Sequence, residues 1–429
     1  MISRNATFYT FDALSDLSAE IGIIGGGPAG AHLASRLAAS GREVIIFDPK
    51  GAWEKPCGGG VPTRAIREFG FLLEASSYPN KLVRRVTIIS PLERRVTIQL
   101  ERPFAIYSRE VLNSLILDRA VEAGAEFVRN AVVDFAREGS GWKLTADDGR
   151  PFRIRFLVGA DGAASFTRRR LIGIFPKQDL ALAFGYNVNE PIGSNGHAEE
   201  VIVRFPRDFT GYLWAFPRVG VMNFGVASKL GERTSDELRR LLGGFVQDYY
   251  GGRPPDAARM SFFGAKIPTL DVRSWPGLKA SGEGWALVGD AAGFADPITG
   301  EGIYYALKSA DLCADALLGN GHLGCGRGHE TAGMSHLDEP PSDSPQYSEA
   351  TARYEHLWRD SFGRDLEHAS YRLPRFYRGT FFGHIFTDAM VALARHHRGV
   401  RTILERALMG EQSYLTLKRD LIRRAFQFF

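Results

Sequence analysis

The clearest pattern of hydrophobic and polar positions lies in residues 19–48. Two short apolar runs, at 21–24 and 44–47, flank a segment whose apolar residues recur at helical spacing and stop at Gly41. Short runs rich in isoleucine and valine are typical of buried strands, and the segment between them is long enough for a helix. The pattern therefore predicts a strand, a helix and a second, parallel strand, which is one βαβ unit.

Further along the chain the apolar pattern changes its period several times. Partial alternation over 84–102 predicts a β-hairpin, and helical spacing over 109–123 predicts a helix. The strand pattern returns within 127–160 and 181–266 and in a short run at 285–289, where we expect further strands. The helical pattern returns near 234–250 and at about 300–318, and it dominates 349–429.

These elements predict an α/β (α+β) protein with a Rossmann-type nucleotide-binding domain, an interleaved strand-rich substrate domain and a C-terminal helical region. Residues 319–348 are rich in glycine, serine, proline and histidine, which predicts a flexible linker. The predicted division assigns 19–61, 104–180 and 281–318 to the nucleotide-binding domain, 62–103 and 181–280 to the substrate domain, and 349–429 to the helical region.

Composition narrows the function mainly by exclusion. The 429 residues carry a formal net charge of only +4, which is too small to indicate a nucleic-acid partner. The three cysteines, Cys57, Cys313 and Cys325, are widely spaced and form no CxxC pair. We therefore expect neither a disulfide framework nor a zinc or iron–sulfur site, and no metal.

Targeting signals are also absent from the sequence pattern. No run of about 18 apolar residues occurs, so the sequence predicts no transmembrane helix. The first 18 residues carry Arg4, Asp12 and Asp16 and lack the apolar run of a secretory signal. We interpret them as a short extension before the first strand and expect a cytoplasmic protein.

The turn of the βαβ unit carries candidate chemistry. Gly25, Gly27 and Gly30 form GxGxxG, with Pro28 and Ala29 opening the helix. Glycines there permit a tight turn, close approach of the backbone to a pyrophosphate and close packing of helix on strand. The helix N-terminus then offers free N–H groups to the phosphates.

An acidic residue follows this turn at the expected distance. Asp48 lies 21 residues after Gly27, at the end of the second strand. A carboxylate at that place accepts hydrogen bonds from ribose hydroxyls. Together with the glycine turn, it predicts a dinucleotide-binding site.

Two later segments resemble the distal motifs of the flavoprotein monooxygenase and reductase superfamily. They are FLVGADGAASFTRR, with Asp161, and ALVGDAAGFADPITGEGIYYALKSA, with Asp290. The resemblance covers roughly residues 19–318 and implies that the dinucleotide is FAD. It implies that Asp290 holds the ribityl chain and that the loop reaching Gly302 and Ile303 passes beside the flavin ring. It further implies a cofactor contact from Arg109 and a backbone contact from Val133 to adenine.

Two other segments are similar to the geranylgeranyl reductase family. They are EKPCGGGVP at 54–62 and GYLWAFP at 211–217. In that family a cysteine followed by glycines lies beside the flavin, which corresponds to Cys57, Gly58 and Gly59. A YxWxFP segment lines the substrate cavity there, and its counterparts in this chain are Tyr212, Trp214, Phe216 and Pro217.

The resemblance implies an FAD-dependent reduction of isolated double bonds in a prenyl chain. Hydride from flavin N5 reaches one alkene carbon, and a proton reaches the other. Tyr212 and Trp214 would stabilise the developing cation through their ring faces, and Cys57 would donate or relay the proton. The alternative for these three residues is an ordinary place in the core. The electron donor stays open between NADPH, NADH and reduced ferredoxin.

The tail adds an expectation about membranes. Residues 371–429 carry 11 Lys+Arg against 4 Asp+Glu, with aromatic residues interleaved. Such basic amphipathic helices can lie on an anionic membrane surface, which suits a prenylated small molecule or lipid as substrate. The alternative is a solvated helix face.

Three other function classes stay open from sequence alone. The first is a flavin-dependent monooxygenase or halogenase on the same fold. The second is an electron-transfer flavoprotein serving a membrane quinone, although the scattered cysteines hold no cluster. The third is a non-enzymatic FAD-binding module.

Overall fold

The computed structural model describes residues 17–74, 76–190, 199–319, 344–381 and 383–425. Its strands are β1 (Leu17–Ile24), β2 (Val44–Phe47), β3 (Gly60–Val61), β4 (Asn80–Ile89), β5 (Arg95–Tyr107), β6 (Glu126–Val128), β7 (Val132–Glu138), β8 (Gly141–Ala146), β9 (Pro151–Gly159), β10 (Leu180–Asn189), β11 (Glu200–Arg204), β12 (Gly211–Arg218), β13 (Val221–Lys229), β14 (Met260–Pro268), β15 (Ser281–Gly282), β16 (Trp285–Leu287), β17 (Thr380–Phe381) and β18 (His384–Ile385). Its helices are α1 (Pro28–Ala39), α2 (Thr63–Glu68), α3 (Phe71–Glu74), α4 (Arg109–Glu122), α5 (Phe166–Leu171), α6 (Ser235–Tyr249), α7 (Ile303–Leu318), α8 (Ser344–Trp358), α9 (Arg364–Arg378), α10 (Phe386–His396), α11 (Arg398–Leu408) and α12 (Leu417–Ala425).

The first sheet contains the predicted βαβ unit. Among the described residues its main strand order is β15-β16-β9-β1-β2-β6, with β7 and β8 attached beside β9. Strand β1 is parallel to β2 and β9, and helix α1 forms the crossover connection between β1 and β2. The sheet's carboxyl edge therefore gathers the residues that follow β1, β2, β9 and β16, which is where open α/β sheets bind ligands.

The second sheet has the order β14-β10-β13-β12-β11-β4-β5-β3 among the described residues. Adjacent strands in this sheet are antiparallel, except that β11 is parallel to β4. Helix α6 covers one face through Leu238, Leu242 and Phe245. The residue before that helix, Thr234, forms a capping box with Glu237, which explains why the helix begins there.

The C-terminal helices pack on both sheets. Helix α8 buries Tyr354 and Trp358 in the core around α1 and α7. Helices α10 and α11 pack on the second sheet through Met390, Val391 and Val400. The C-terminal region therefore does not stand apart from the sheets.

The predicted fold class is confirmed. The predicted helices at 109–123, 234–250 and about 300–318 correspond to α4, α6 and α7, and the predicted hairpin corresponds to β4 and β5. Residues 1–16 and most of the predicted linker, 320–343, lie outside the described residues. Helix α8 begins at Ser344, so the last part of the predicted linker is helical.

Candidate functional site

A cavity of about 670 Å³ runs between the two sheets and the C-terminal helices. One end, here called the nucleotide end, is lined by Gly25, Gly27, Asp48 and Arg109. The opposite end, here called the apolar end, is lined by side chains of the second sheet and of α10, α11 and α12. They include Val86, Val203, Met390, Val391, Leu408 and Leu421.

The glycine turn is shaped by two different requirements. A Cβ on Gly25 would lie 2.5 Å from the Ala160 carbonyl oxygen, and the residue has a φ of +109°. A Cβ on Gly30 would collide with the Gly25 carbonyl oxygen. A Cβ on Gly27, in contrast, would meet nothing within 4 Å. Gly25 and Gly30 thus serve the turn itself, whereas Gly27 keeps open the space in front of α1 that a pyrophosphate would fill.

Two of the predicted cofactor residues open the helix beside this space. Pro28 and Ala29 line the cavity at the start of α1. Proline suits this first helical position because its missing N–H has no intrahelical partner there in any case.

Asp48 has a structural task besides the predicted one. Its carboxylate accepts hydrogen bonds from the backbone N–H groups of Gly26 at 2.8 Å, Lys50 at 2.9 Å and Gly51 at 3.1 Å. It therefore fixes the glycine turn to the end of β2. A carboxylate has about four acceptor sites, so it retains capacity for ribose hydroxyls.

The two distal aspartates have different surroundings, although both line the cavity. Asp161 accepts hydrogen bonds from Ser165 and from the backbone N–H of Thr167, so it holds the start of α5. Asp290 forms an ion pair with Lys55 at 3.2 Å. Of the two, Asp290 is the one with a charged partner facing the cavity.

The loop that precedes α7 brings two further predicted residues to the cavity. Gly302 lies against Asp290, because a Cβ on this glycine would be 3.0 Å from an Asp290 carboxylate oxygen. Ile303 begins α7, so the helix N-terminus faces the cavity beside Asp290. A helix N-terminus at this place would favour negative charge on a flavin ring bound beside it.

Arg109 and Val133 differ in how they meet the prediction. Arg109 is buried at the cavity, and its Nε atom has no hydrogen-bond partner. A buried nitrogen without a partner is expected where a polar ligand binds. Val133 is 52% exposed and does not line the cavity, whereas its neighbours Ala131 and Val132 do. The Val133 side chain therefore points away from the cavity, and the predicted backbone contact of this residue to adenine stays a prediction.

The Cys57 loop, residues 54–60, is held by a side chain that sequence reasoning missed. Arg218, at the end of β12, donates to the Cys57 carbonyl oxygen and, at 3.3 Å, to that of Gly58. It also pairs with Glu54 at 2.7 Å. Burial acts to raise the pKa of Glu54, yet the Arg218 charge and hydrogen bonds from Ser108 hold it below its usual value. Glu54, in the first family-like segment, is thus joined to the residue that follows the second by one partly buried ion pair.

The three glycines after Cys57 make room for neighbours. A Cβ on Gly58 would lie 2.9 Å from the Phe216 ring, and one on Gly60 would lie 2.6 Å from the Phe104 ring. Gly59 has a φ of +79°, and a Cβ there would collide with the Tyr107 carbonyl oxygen. The loop consequently lies flat against the aromatic side chains, and the Cys57 Sγ, which accepts the Gly59 N–H at 3.3 Å, lines the cavity.

Tyr212, Trp214 and Phe216 form an aromatic stripe along one face of β12. Their ring centroids are 5.8 Å and 6.3 Å apart in succession. Trp214 donates to Asn223 at 2.7 Å, which fixes its ring. Pro217 does not line the cavity, because strand alternation places it on the opposite face with Leu213. Its prediction as a substrate contact is corrected accordingly.

The loop 296–302 beside α7 is fixed by tyrosines from three parts of the chain. Tyr212 donates to the Thr299 carbonyl oxygen, Tyr377 to that of Ile298 at 2.6 Å, and Tyr414 to the Asp296 carboxylate at 2.8 Å. Sequence reasoning found only Tyr212, since no local signal links residues so far apart. The loop that the resemblance places beside the flavin is therefore positioned partly by the C-terminal region.

This loop also carries two acids that the sequence analysis did not identify, the buried Asp296 and the partly buried Glu301. Burial raises the pKa of Asp296, and it raises the pKa of Glu301 to about 8. Among the described residues neither forms an ion pair, although the Arg64 charge acts to lower the pKa of Glu301. Both acids line the cavity.

The residues present fit FAD. An open space faces a helix N-terminus, a carboxylate follows β2, and a buried arginine has an unpartnered nitrogen. Asp48 would hold the ribose, α1 the pyrophosphate, and Asp290 with the start of α7 the ribityl chain and ring.

Comparison with known proteins agrees with this geometry. The FAD binding domain family model matches residues 18–201. A geranylgeranyl diphosphate reductase from Rhodobacter capsulatus is 30% identical, with 69% of this chain and 74% of that protein covered. The crystal structure of a geranylgeranyl bacteriochlorophyll reductase-like protein from Thermoplasma acidophilum has a TM-score of 0.73 at 20% identity, covering 96% of this chain and all of that one. The flavin-dependent brominase Bmp2 has a TM-score of 0.67 at 17% identity, covering 95% and 99%.

Proposed function

The chain belongs to the geranylgeranyl reductase family of FAD-dependent oxidoreductases, and on that premise we propose that it reduces carbon–carbon double bonds of a prenyl chain. The observation that carries the proposal is the continuity of the cavity. It leads from the nucleotide end past Cys57 and the aromatic stripe to an apolar end formed by aliphatic side chains. A long, branched hydrocarbon fits such a space, and burial of its apolar surface supplies the binding energy.

Reduced FAD supplies a hydride equivalent when it is bound. The chain's own residues then have to place the alkene, exclude water and provide a proton. The aromatic stripe faces the passage between the two ends, where a prenyl double bond would lie. Its rings stabilise positive charge on a branched carbon by about 0.5–2 kcal/mol per contact. Positioning must contribute more than this to the rate.

Cys57 lines the cavity in the Cys57 loop, and its thiol carries a proton. We propose that its Sγ contacts the alkene and passes a proton to it. Cys57→Ser is the direct test, because full turnover in that variant would remove the thiol from the mechanism.

The proposed activity is tested anaerobically. The purified protein is reduced with dithionite, geranylgeranyl diphosphate is added, and flavin reoxidation is followed with mass spectrometry of the product. We expect reoxidation and a gain of two hydrogen atoms for each reduced bond. NADPH, NADH and reduced ferredoxin are then compared as donors in place of dithionite.

The same experiment separates the proposal from oxygen chemistry. The likeness to a brominase, at 17% identity, concerns the fold alone. A flavin that stays reduced until oxygen enters, followed by an oxygenated or halogenated product, would replace the reductase proposal with a monooxygenase or halogenase.

We further propose that the C-terminal helices rest on an anionic membrane surface. Helix α12 has two faces: Leu417 and Leu421 line the cavity, whereas Ile422 and Arg423 are exposed. A helix with the cavity on one side and a basic, partly apolar face on the other would admit a prenyl lipid from the bilayer. Within the described residues, no helix combines the length and apolar character needed to span a membrane.

A further inference from the structure

Glu301 is a partly buried acid that the proposed chemistry has not yet used. It lies between Gly300 and Gly302 on the loop beside α7, and its side chain lines the cavity. One carboxyl oxygen accepts the backbone N–H of Tyr304 at 2.8 Å. Among the described residues no lysine or arginine lies within ion-pair distance of it.

The other groups around this carboxyl make its ionisation unfavourable. Asp296, on the same loop, is buried, and its charge acts to raise the pKa of Glu301. Arg64 acts in the opposite direction, but its guanidinium lies over the Tyr304 ring at 4.0 Å rather than on the carboxyl. A buried carboxyl without a direct cationic partner is stabilised in its protonated form.

Glu301 and Cys57 line the same cavity as Tyr212. A Cβ on Gly300, the residue before Glu301, would lie 3.9 Å from the Tyr212 hydroxyl oxygen, so the backbone beside the acid approaches this phenol. Tyr212 also donates to Thr299, whose side-chain oxygen accepts the Glu301 backbone N–H at 3.2 Å. The acid is thereby fixed at the junction of the aromatic stripe and the loop 296–302.

We propose that Glu301 is the source of the proton that the alkene receives, an inference that rests on the proposed prenyl reduction. The S–H bond of Cys57 breaks as a C–H bond forms at one alkene carbon, using the π electron pair, and the resulting thiolate takes the proton of the Glu301 O–H group. The other alkene carbon would receive a hydride equivalent, which reduced FAD would supply when bound. The Glu301 carboxylate takes a new proton from water afterwards.

A purely structural role is the competing interpretation, because Glu301 also caps α7. Glu301→Gln separates the two roles. The glutamine side-chain oxygen accepts the Tyr304 N–H equally well, so the cap persists while the acidic proton is lost. Glu301→Ala removes both and serves as the matched control for the cap.

The first readout does not depend on turnover. Infrared difference spectra of wild type and Glu301→Gln at neutral pH isolate the C=O stretching band of a protonated carboxyl. We expect this band in wild type and its loss in the variant. A carboxylate band in wild type at pH 7 would overturn the proposal, whatever the activity.

The second readout is product formation with chemically reduced protein and geranylgeranyl diphosphate. General acids contribute typically 10²–10⁴-fold, so we expect Glu301→Gln to lower the rate at pH 7 by about that factor. The wild-type rate should fall as pH rises through about 8, and this limb should vanish in the variant. An unchanged rate and pH profile in Glu301→Gln would refute the proton role, whereas a wild type without reduced product would refute the proposed function itself.

Discussion

The two ends of the cavity are built in different ways. At the nucleotide end the backbone determines the shape, through glycines whose missing side chains define a turn and an open space. At the apolar end the shape comes from side chains that strands β4 and β11 and helices α10–α12 bring together from distant parts of the chain. The difference teaches that a short sequence segment can determine a cofactor site, whereas the space for a hydrocarbon depends on how the whole fold assembles.

The largest effect should come from adding one methyl group at the nucleotide end. Gly30→Ala drives a Cβ into the Gly25 carbonyl oxygen, so we expect a loss of about 3–5 kcal/mol in the free energy of unfolding, the upper range for single substitutions. Urea denaturation of the FAD-free protein measures it.

Gly27→Ala is the matched variant in the same turn. Its Cβ meets nothing within 4 Å, so the FAD-free protein should keep its stability and lose only FAD affinity, measured by flavin fluorescence titration. Equal destabilisation by both substitutions would contradict the separate tasks assigned to these glycines.

The acid at the junction of the two ends should make stability depend on pH. Glu301 has a folded pKa of about 8 against an ordinary value of 4.5, so the folded state holds one more proton than the unfolded state between these values. Its contribution is complete below pH 4.5 and is lost as pH rises through about 8, with a slope of about 1.4 kcal/mol per pH unit. Subtracting the Glu301→Gln unfolding curve from that of wild type isolates this slope, and a flat difference would mean that the carboxyl is ionised in the fold.

The apolar end can be tested by filling it. Met390, on the cavity side of α10, replaced by tryptophan should shorten the space available to the far end of a prenyl chain. We expect kcat/KM for a 20-carbon prenyl diphosphate to fall about 10–200-fold relative to that for a 10-carbon one, the range typical of hydrophobic pockets. Leu393→Trp on the same helix is the control, since Leu393 is 40% exposed. Equal loss for both chain lengths would show that Met390 does not limit length.

The contacts of Arg218 with Glu54 and the Cys57 loop should contribute to the stability of the fold. Arg218→Ala leaves Glu54 and two loop carbonyl groups without their shared donor, which we expect to cost about 1–3 kcal/mol in unfolding free energy. Arg218→Lys keeps the charge, but a single ammonium group cannot reach the three acceptors that the planar guanidinium contacts. The lysine variant should therefore rescue only part of this loss. Full rescue by lysine would mean that charge alone holds the Cys57 loop.

The sequence predicts the nucleotide end and the aromatic stripe but not the long-range contacts that position them, and the reasons are physical. GxGxxG, Asp48 and the strand-end aspartates are local features whose chemistry follows from their spacing, and the aromatic stripe follows from alternation along one strand. Arg218 was adjacent to a recognised motif, yet only the pairing of β12 with the rest of its sheet shows that it faces Glu54. Tyr377 and Tyr414 carry no local signal at all, since their hydrogen bonds to the loop 296–302 depend on how α9 and the residues before α12 pack.

The smallest expected effect concerns the outer face of the apolar end. Deleting the tail would destroy the cavity wall, so the membrane proposal is better tested by reversing two surface charges. We expect Arg423→Glu together with Arg424→Glu to weaken cosedimentation with phosphatidylserine vesicles, because each basic residue near an anionic surface contributes about 1 kcal/mol.

The matched control lies on another surface helix. Arg239→Glu with Arg240→Glu changes the net charge equally, but on α6, which covers the far face of the second sheet. If both double variants weaken vesicle binding equally, the protein is attracted to the vesicles by its net charge, and the tail makes no oriented contact with them. If only the α12 pair does so, the basic face of that helix meets the membrane while its other face lines the space for the prenyl chain, and the apolar end opens where its substrate would be dissolved.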